Sequence, residues 1–329
     1  MGAGQRQHRH GARDGLPVTA VAWAVLGATG RLGRALQAAL PAGVVVHGLA
    51  RQPPPLSAPV SAAPHSFVAG HRRDVGRLRA VLDGCDAVLD LCGMDGDDAA
   101  ALVEAWTGCE RPPRRLVLAS SLAERRPARW SEHPSGHAAL EHEPPPEDDY
   151  GQGKRALRAG CVAGLPVDVQ ICSLLLPQLL AVDDDDSRQR AYLEAALTEG
   201  VLRLPGGGTQ RPCVVAVETA AAALVALALG AAPDRGGVFQ IAPLQQPPQR
   251  SLARALLDGA GLEAVDIVEG AWAGPGRMPH AGGEERVDGA PLRGLLPVLP
   301  WPDLLALQGA HGRRLAATLG PIDGAIRHR

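Results

Sequence analysis

A short apolar segment, residues 20–26, runs directly into a glycine-rich turn and then into a helical pattern that continues to residue 40. Strand, turn and helix in this order are typical of a dinucleotide-binding unit, whose turn cradles a pyrophosphate at the helix N-terminus. Gly27 would permit the tight turn, Gly30 would let the backbone approach the phosphates, and Gly33 would let helix and strand pack closely. The candidate phosphate-binding residues are Gly27, Thr29, Gly30, Arg31, Leu32 and Gly33.

Strand and helix patterns alternate through the first half of the chain. Further strands are predicted at 44–50, 66–69, 87–92, 115–119 and 167–171, with helices between most of them. This alternation predicts an α/β fold with a Rossmann-type, doubly wound parallel sheet. Ligands of such sheets bind outside the carboxyl ends of the strands, where Cys92, Gly93 and Ser121 would lie beside the glycine turn.

The residue after the second strand bears on the choice of dinucleotide. An NAD site usually has an acid there for the ribose 2′-hydroxyl, whereas this chain has Arg51. A guanidinium at that corner suits the 2′-phosphate of NADP. NADP is therefore the preferred cofactor and NAD the alternative; a solvated loop charge is the other interpretation of Arg51.

A second motif follows at Tyr150-Gly151-Gln152-Gly153-Lys154, where the chain has its only lysine and one of its two tyrosines. Residues four apart lie on one face of a helix, so the ammonium of Lys154 can lie beside the phenol of Tyr150. A nearby cation favours the phenolate and lowers the phenol pKa, which makes the pair a candidate for proton transfer. The alternative is an exposed Tyr and Lys on a helix surface.

The pattern changes beyond the sixth strand. The expected organisation is a disordered tail at 1–19, a dinucleotide-binding domain with the catalytic helix at 20–172, and mainly a substrate-binding lobe at 173–329. Some strands and helices of this last part are expected to return to the first domain. The second half is expected to contain a hairpin-like segment at 202–208, an acidic run at 182–186, and several helices.

Composition limits the classes of binding partner that the chain is expected to have. The formal charge is −2 and the basic residues are scattered, which argues against nucleic acid. No apolar run approaches the roughly 18 residues of a membrane span, and six cysteines without a C-x-x-C pair indicate reduced thiols of a cytoplasmic protein. His133, His137 and His142 do not share one face, so the 122–147 connection is predicted to be a solvated loop without a metal.

With its motifs in this order, the chain resembles the extended short-chain dehydrogenase/reductases, the NAD(P)-dependent epimerase/dehydratase family. The likeness is carried by AVLGATGRLG, by RRLVLASSLAE with DDYGQGKRALRAG, and by LRLPGGGTQRPCVVAVETAAAALVAL. It implies a nicotinamide cofactor, Tyr150 as proton donor or acceptor, and Lys154 on the nicotinamide ribose. It further implies Ser121 on the substrate oxygen of a small molecule, and a homodimer.

Several positions depart from the family pattern. His71 stands where relatives have an acid, Asp90 where a His is common, and Ile171-Cys172-Ser173 where Arg-Pro-Gly is usual. Dehydratases of the family carry an Asp-Glu pair after the Ser/Thr, but here Leu122-Ala123 follow, which argues against a dehydratase. Arg211 matches a position that meets the substrate phosphates in nucleotide-sugar epimerases; a structural ion pair is its alternative role.

These observations favour an NADP-preferring oxidoreductase that acts on a carbonyl or alcohol of a small metabolite. A nucleotide-sugar epimerase is the nearest enzymatic alternative and rests on Arg211. A non-catalytic NADP sensor or partner-binding protein on the same scaffold is the alternative from another class, motivated by the departures at His71, Asp90 and Ile171. The glycines at 151 and 153 disfavour a helix by about 0.8–1 kcal/mol each; one interpretation is that they leave room beside the nicotinamide.

Overall fold

The structure is a computed structural model that describes residues 21–53, 66–134, 136–183, 189–274 and 285–319. The predicted tail at 1–19, nearly all of the proline-rich loop at 53–64 and most of the acidic run at 182–186 lie outside the described residues.

The described elements are eleven β-strands, ten α-helices and three short 3₁₀ helices. The strands are β1 (Val21–Leu26), β2 (Val44–Ala50), β3 (Ser66–Ala69), β4 (Ala87–Asp90), β5 (Arg115–Ser121), β6 (Gln170–Leu176), β7 (Gln178–Leu180), β8 (Val201–Leu204), β9 (Val214–Ala216), β10 (Gly236–Gln240) and β11 (Asp266–Glu269). The α-helices are α1 (Arg31–Ala38), α2 (Val75–Leu82), α3 (Gly96–Thr107), α4 (His137–Glu141), α5 (Asp149–Gly164), α6 (Arg190–Glu199), α7 (Val217–Ala228), α8 (Gln249–Gly259), α9 (Ala290–Leu295) and α10 (Leu304–Leu319). The 3₁₀ helices are Leu122–Glu124, Pro127–Arg129 and Pro205–Gly208.

Seven strands form one parallel sheet in the order β10-β6-β5-β4-β1-β2-β3. Apolar side chains of α1 and α7 pack on one face, and those of α2, α3 and α5 pack on the other. Since both faces are covered, the central strands are apolar along nearly their whole length, as parallel sheets require. This architecture confirms the predicted Rossmann-type α/β fold.

The sixth strand lies further along the chain than predicted. The apolar residues at 167–171 suggested a strand, but Val167 is fully exposed and the amide of Val169 donates to the carbonyl of Pro166 in a turn. The strand runs instead over Gln170–Leu176, all of it buried, and is paired with β5 as far as Ser121. The prediction was wrong because a short apolar run does not show where a turn ends and pairing begins.

A second lobe is formed by α6, β8, α8, β11 and α10, which enclose a core of their own. The segment predicted as hairpin-like, 202–208, is not a hairpin: β8 pairs in parallel with β11, about 60 residues later in the chain. Turn glycines at 206–208 do follow β8, but with φ angles of +56°, +61° and +73° they form a left-handed turn and do not return a neighbouring strand. Parallel pairing of this kind leaves no local signal that could have predicted β11.

Candidate functional site

The glycine turn joins β1 to α1 at the carboxyl edge of the sheet. Gly27 has φ +83°, a conformation that favours glycine. A Cβ at Gly33 would lie 2.5 Å from the backbone oxygens of Gly27 and Ala28, so only glycine lets α1 approach the turn. Among the described residues, no side chain caps the N-terminus of α1. The turn and the helix end therefore suit a phosphate.

An open cleft of about 1810 Å³ follows this edge. It is lined by nearly all of the predicted site residues: Gly27, Thr29, Gly30, Arg31, Leu32, Gly33, Arg51, Cys92, Ser121, Tyr150 and Lys154. Gly93 is buried behind the cleft wall, and Arg211 lies in a neighbouring pocket. The fold thus brings together residues from the turns that follow β1, β2 and β4, from α1, from the end of β5 and from α5.

Lys154 and Tyr150 occupy the first two turns of α5. The helix begins after Asp148, whose carboxylate accepts the amide of Gly151 at 2.6 Å. Lys154 is 4% exposed, and its Nζ donates to the carbonyls of Gly93 at 2.6 Å and Ala119 at 3.2 Å. Tyr150 is 45% exposed, with its ring centroid 5.9 Å from the Nζ. The cation is therefore held rigidly beside a phenol that a ligand can reach.

The two serines at the end of β5 have different surroundings. Ser121 lines the cleft, and its Oγ accepts the amide of Ala123 at 3.2 Å. Ser120 is buried, and its hydroxyl donates to the carboxylate of Glu124. Both serines border the cleft, but the Ser120 hydroxyl hydrogen is engaged by Glu124, whereas the Ser121 hydroxyl only accepts and can donate to a ligand, as the family resemblance implies.

The glycines inside the tyrosine–lysine motif allow close approach of backbone. A Cβ at Gly153 would lie 2.6 Å from the carbonyl oxygen of Met94, and a Cβ at Gly151 would collide with that of Ala123. Helix α5 can therefore pack directly on the turns that follow β4 and β5. These contacts account for both glycines without a role beside the nicotinamide.

A largely buried ionic cluster forms part of the cleft wall, where Arg72 pairs with Asp90 and with Asp98. Burial alone would lower the pKa of the Arg72 guanidinium, but the Asp90 carboxylate raises it above its usual value. Burial also raises the pKa of the neighbouring Cys92 thiol to about 12, which makes that cysteine an unsuitable nucleophile. Sequence reasoning missed Arg72; the available signal was Asp90, an acid in an apolar strand that requires a buried partner.

The predicted solvated loop at 122–147 is in fact partly buried. His137 begins helix α4, and its Nε2 lies 2.9 Å from the carbonyl oxygen of Ile171. Burial lowers the pKa of His137. Glu124 is fully buried against Arg158, and burial raises its pKa despite that ion pair. The prediction was wrong here because burial of polar side chains depends on partners distant in sequence.

A second pocket of about 550 Å³ adjoins the cleft, since Ser131 and Arg286 line it while their neighbours Trp130 and Glu285 line the cleft. Three arginines contribute to it, namely Arg211, Arg286 and Arg293. The Nη1 of Arg211 donates to the carbonyl of Gln246 at 2.6 Å, so Arg211 is anchored within the pocket wall. This pocket is suited to an anion.

The described residues also bear on metal binding and on membrane insertion. No group of three or more His, Cys, Asp or Glu side chains is placed to hold a metal ion there. None of the described helices is long and apolar enough to cross a membrane.

Comparison with known proteins places these features in context. Residues 27–156 match the family model described as NAD(P)H-binding. No relative is found among the curated protein sequences. The fold is similar to that of a candidate epimerase from Burkholderia cenocepacia J2315, with 20% identity, TM-score 0.68 and coverage of 90% of this chain and 98% of that one.

Two further solved structures have a similar fold. The UDP-N-acetylglucosamine 4-epimerase from Methanobrevibacter ruminantium M1 has 15% identity and TM-score 0.67, with coverage of 91% and 99%. A mutant UDP-glucuronic acid 4-epimerase from Bacillus cereus has 17% identity and TM-score 0.67, with coverage of 91% and 100%. The likeness extends over 90% or more of this chain and shows that it shares the fold of these proteins, while the NAD(P)H-binding match covers the part that contains the glycine turn and the tyrosine–lysine motif. Both findings agree with the resemblance drawn from the sequence motifs.

Proposed function

We propose that this chain, with its NAD(P)H-binding domain in an extended short-chain dehydrogenase/reductase fold, is an NADP-preferring oxidoreductase for a carbonyl or alcohol of a small metabolite. The observation that carries the proposal is the convergence of Ser121, Tyr150 and Lys154 on the cleft that also contains the glycine turn. A purely cofactor-binding protein has no physical need for a phenol and a buried ammonium at this position.

The residues at the other end of the cleft fit a nicotinamide dinucleotide. Gly27, Gly30 and the N-terminus of α1 would hold the pyrophosphate, with Thr29, Arg31, Leu32 and Gly33 around it. Arg51, exposed directly after β2, would pair with a 2′-phosphate. Cys92 and Gly93 would border the cofactor at the end of β4. When bound, the nicotinamide supplies or accepts the hydride.

The chain's own residues would move the proton. Tyr150 would give its phenolic proton to the substrate oxygen during reduction, or take it during oxidation. Lys154 would stabilise the phenolate by its charge and donate to the nicotinamide ribose. Ser121 would donate to the substrate oxygen as negative charge develops there.

The test is Tyr150→Phe, assayed with NADPH and NADH against a panel of carbonyl compounds. Loss of an acid/base group is expected to lower turnover by about 10²–10⁴-fold, with cofactor affinity retained. Tyr192→Phe is the matched control, since the other tyrosine is buried in the second lobe, where its hydroxyl accepts from Gln249 at 2.7 Å. Undiminished turnover in Tyr150→Phe would refute the role of the phenol.

A nucleotide-sugar epimerase is the second candidate, favoured by the arginine pocket. Arg211, Arg286 and Arg293 beside the cleft suit the phosphates of a nucleotide-linked substrate. The structural relatives described above are themselves sugar-nucleotide epimerases or a candidate epimerase. Product analysis with UDP-sugars separates the two activities, because an epimerase leaves its cofactor in the starting oxidation state.

A dehydratase is not expected. The residues after Ser121 are Leu122 and Ala123, and the next acid, Glu124, is buried against Arg158 and is not among the residues that line the cleft. The substrate would therefore meet no acid directly after Ser121. Elimination of water from a UDP-sugar, detected as a 4-keto-6-deoxy product, would overturn this expectation.

A non-catalytic NADP sensor predicts cofactor binding without turnover across the whole panel. One of its motivations is weaker in the structure, since Asp90 has a partner in Arg72 and is not simply a lost functional residue. Cofactor-dependent turnover of any panel compound would dismiss the sensor. A homodimer is proposed from the family resemblance alone, and light scattering of the full chain tests it.

A further inference from the structure

The turn that follows β4, residues 91–95, is shaped by two buried carboxylates. Asp90 Oδ1 accepts the amides of Cys92 at 3.1 Å and Gly93 at 2.9 Å. Asp98 Oδ2 accepts the amide of Met94 at 2.7 Å. Three successive amides of the turn are thus fixed by side chains instead of by water or by a neighbouring strand.

Arginine side chains from the loop after β3 hold these carboxylates in turn. Arg72 pairs with Asp90 through Nη2 and lies 3.0 Å from Asp98 through Nη1. Arg73 donates to Asp98 at 2.6 Å and pairs with Asp95. The side chain of Asp90 is fully buried and that of Arg72 is 7% exposed, so each charge depends on the other for compensation.

Gly93 links this cluster to the lysine. Its amide is bound by Asp90, and its carbonyl accepts the Nζ of Lys154 at 2.6 Å. A Cβ at Gly93 would lie 2.7 Å from both Asp90 and Leu157, so the residue is closely confined on both sides. The carbonyl that holds the ammonium shares its planar peptide group with the Met94 amide, which Asp98 binds, and Asp90 fixes the preceding peptide group through the Gly93 amide. The two carboxylates together therefore set the orientation of this carbonyl.

We infer that Asp90, itself held by Arg72, is a positioning residue for Lys154. The inference rests on the proposed function insofar as Lys154 is the cation of the active site. Asp90 makes no described contact with Lys154 or Tyr150; it acts through the peptide groups of Gly93. A purely structural ion pair would instead affect stability and leave the environment of Lys154 unchanged.

The sole lysine makes this testable without a substrate, because ¹³Cε-labelled lysine gives one side-chain resonance, that of Lys154. Two double variants, both of which remove the buried charges, are compared. R72M/D90L removes the acceptor for the Gly93 amide. R72Q/D90N keeps a side-chain oxygen at position 90 and serves as the conservative rescue. Circular dichroism and thermal unfolding establish that each variant is folded.

In R72M/D90L the Lys154 resonance is expected to move toward the position of a free lysine side chain, and NADPH affinity, measured by its fluorescence, to fall at least about tenfold. R72Q/D90N is expected to retain the wild-type resonance. A folded R72M/D90L with the wild-type resonance would overturn the inference. If R72M/D90L does not fold, R72Q/D90A replaces it under the same criterion. Compared with R72Q/D90N, this variant removes only the acceptor at position 90, and its glutamine keeps a polar partner for Asp98.

The same spectra separate this inference from the proposed function. If neither NADPH nor NADH perturbs the Lys154 resonance of the wild-type protein, the proposed cofactor site is wrong. The unliganded spectra of the variants still decide the role of Asp90 in that case.

Discussion

Replacement of Gly153 by alanine sets two opposing effects against each other. Alanine favours a helix over glycine by about 0.8–1 kcal/mol, so on helix propensity alone Gly153→Ala should stabilise α5. The added methyl group, however, would lie 2.6 Å from the carbonyl oxygen of Met94. Carbon–oxygen contacts normally lie at about 3.3–3.6 Å, so the helix and the turn would have to separate by roughly 0.7–1 Å.

The contact is expected to outweigh the propensity. Overpacking costs about 1–3 kcal/mol, and here the partner is backbone that side-chain hydrogen bonds hold in place. After subtraction of the propensity gain, the variant should be less stable by up to about 2 kcal/mol. At about 2–4 °C per kcal/mol, the apparent Tm should fall by up to roughly 8 °C. The same displacement would stretch the bond from Lys154 to Gly93, so NADPH affinity should also fall.

Gly76→Ala is the matched control. Gly76 is an exposed residue of α2, and a Cβ there would meet only the Asp74 carboxylate at an ordinary 3.6 Å. This variant should gain up to about 1 kcal/mol and keep wild-type NADPH affinity. Differential scanning calorimetry and NADPH fluorescence titration measure both quantities. A Tm increase in Gly153→Ala equal to that in Gly76→Ala would refute the close-contact argument.

Two further predictions concern charge. Arg51→Ala should raise the Kd for NADPH by about 10–150-fold, the equivalent of a charged hydrogen bond of about 1.5–3 kcal/mol, and should change the Kd for NADH by less than about twofold. The control is Arg235→Ala, which alters an exposed arginine outside the cleft and should change neither Kd. Equal losses of affinity for both cofactors in Arg51→Ala would contradict the 2′-phosphate role. Burial lowers the pKa of His137. Its contribution to stability should therefore be complete above the ordinary histidine pKa of about 6.5 and decline as the pH falls below it. Free energies of unfolding measured from pH 5 to 8 should show this decline in the wild type, and the part due to His137 should be absent in His137→Gln.

Local patterns predicted most of the first half of the fold. The bounds of β2 and β3 match the prediction, and α5 begins at Asp149, directly after its capping residue Asp148. These elements carry their signals in neighbouring residues: alternating burial, turn glycines and capping carboxylates. The convergence of Ser121 and the tyrosine–lysine motif on one sheet edge follows from parallel topology alone.

What could not be predicted depends on contacts between distant residues. Parallel pairing of β8 with β11 has no turn that would reveal it. The partnership of Arg72 with Asp90 joins a residue that no sequence pattern singled out to one that appeared only as a departure from the family pattern. Gly153 reads from sequence as a helix breaker, and only its distance to Met94 explains why a larger residue would not fit.

The register of β6 on β5 has a consequence for how the two halves of the cleft can change. Ser121 is paired with Leu176, and the chain leaves the sheet immediately afterwards, through Pro177 and Gln178, which line the cleft. Every catalytic candidate thus precedes this exit, whereas the second lobe follows it. The elements of the second lobe all lie beyond residue 177, whereas α7 and β10 return to the sheet. Under the proposed function, insertions and substitutions in that lobe should reshape the wall that faces the substrate while Ser121, Tyr150 and Lys154 keep their geometry. Choice of substrate and chemistry can then change separately.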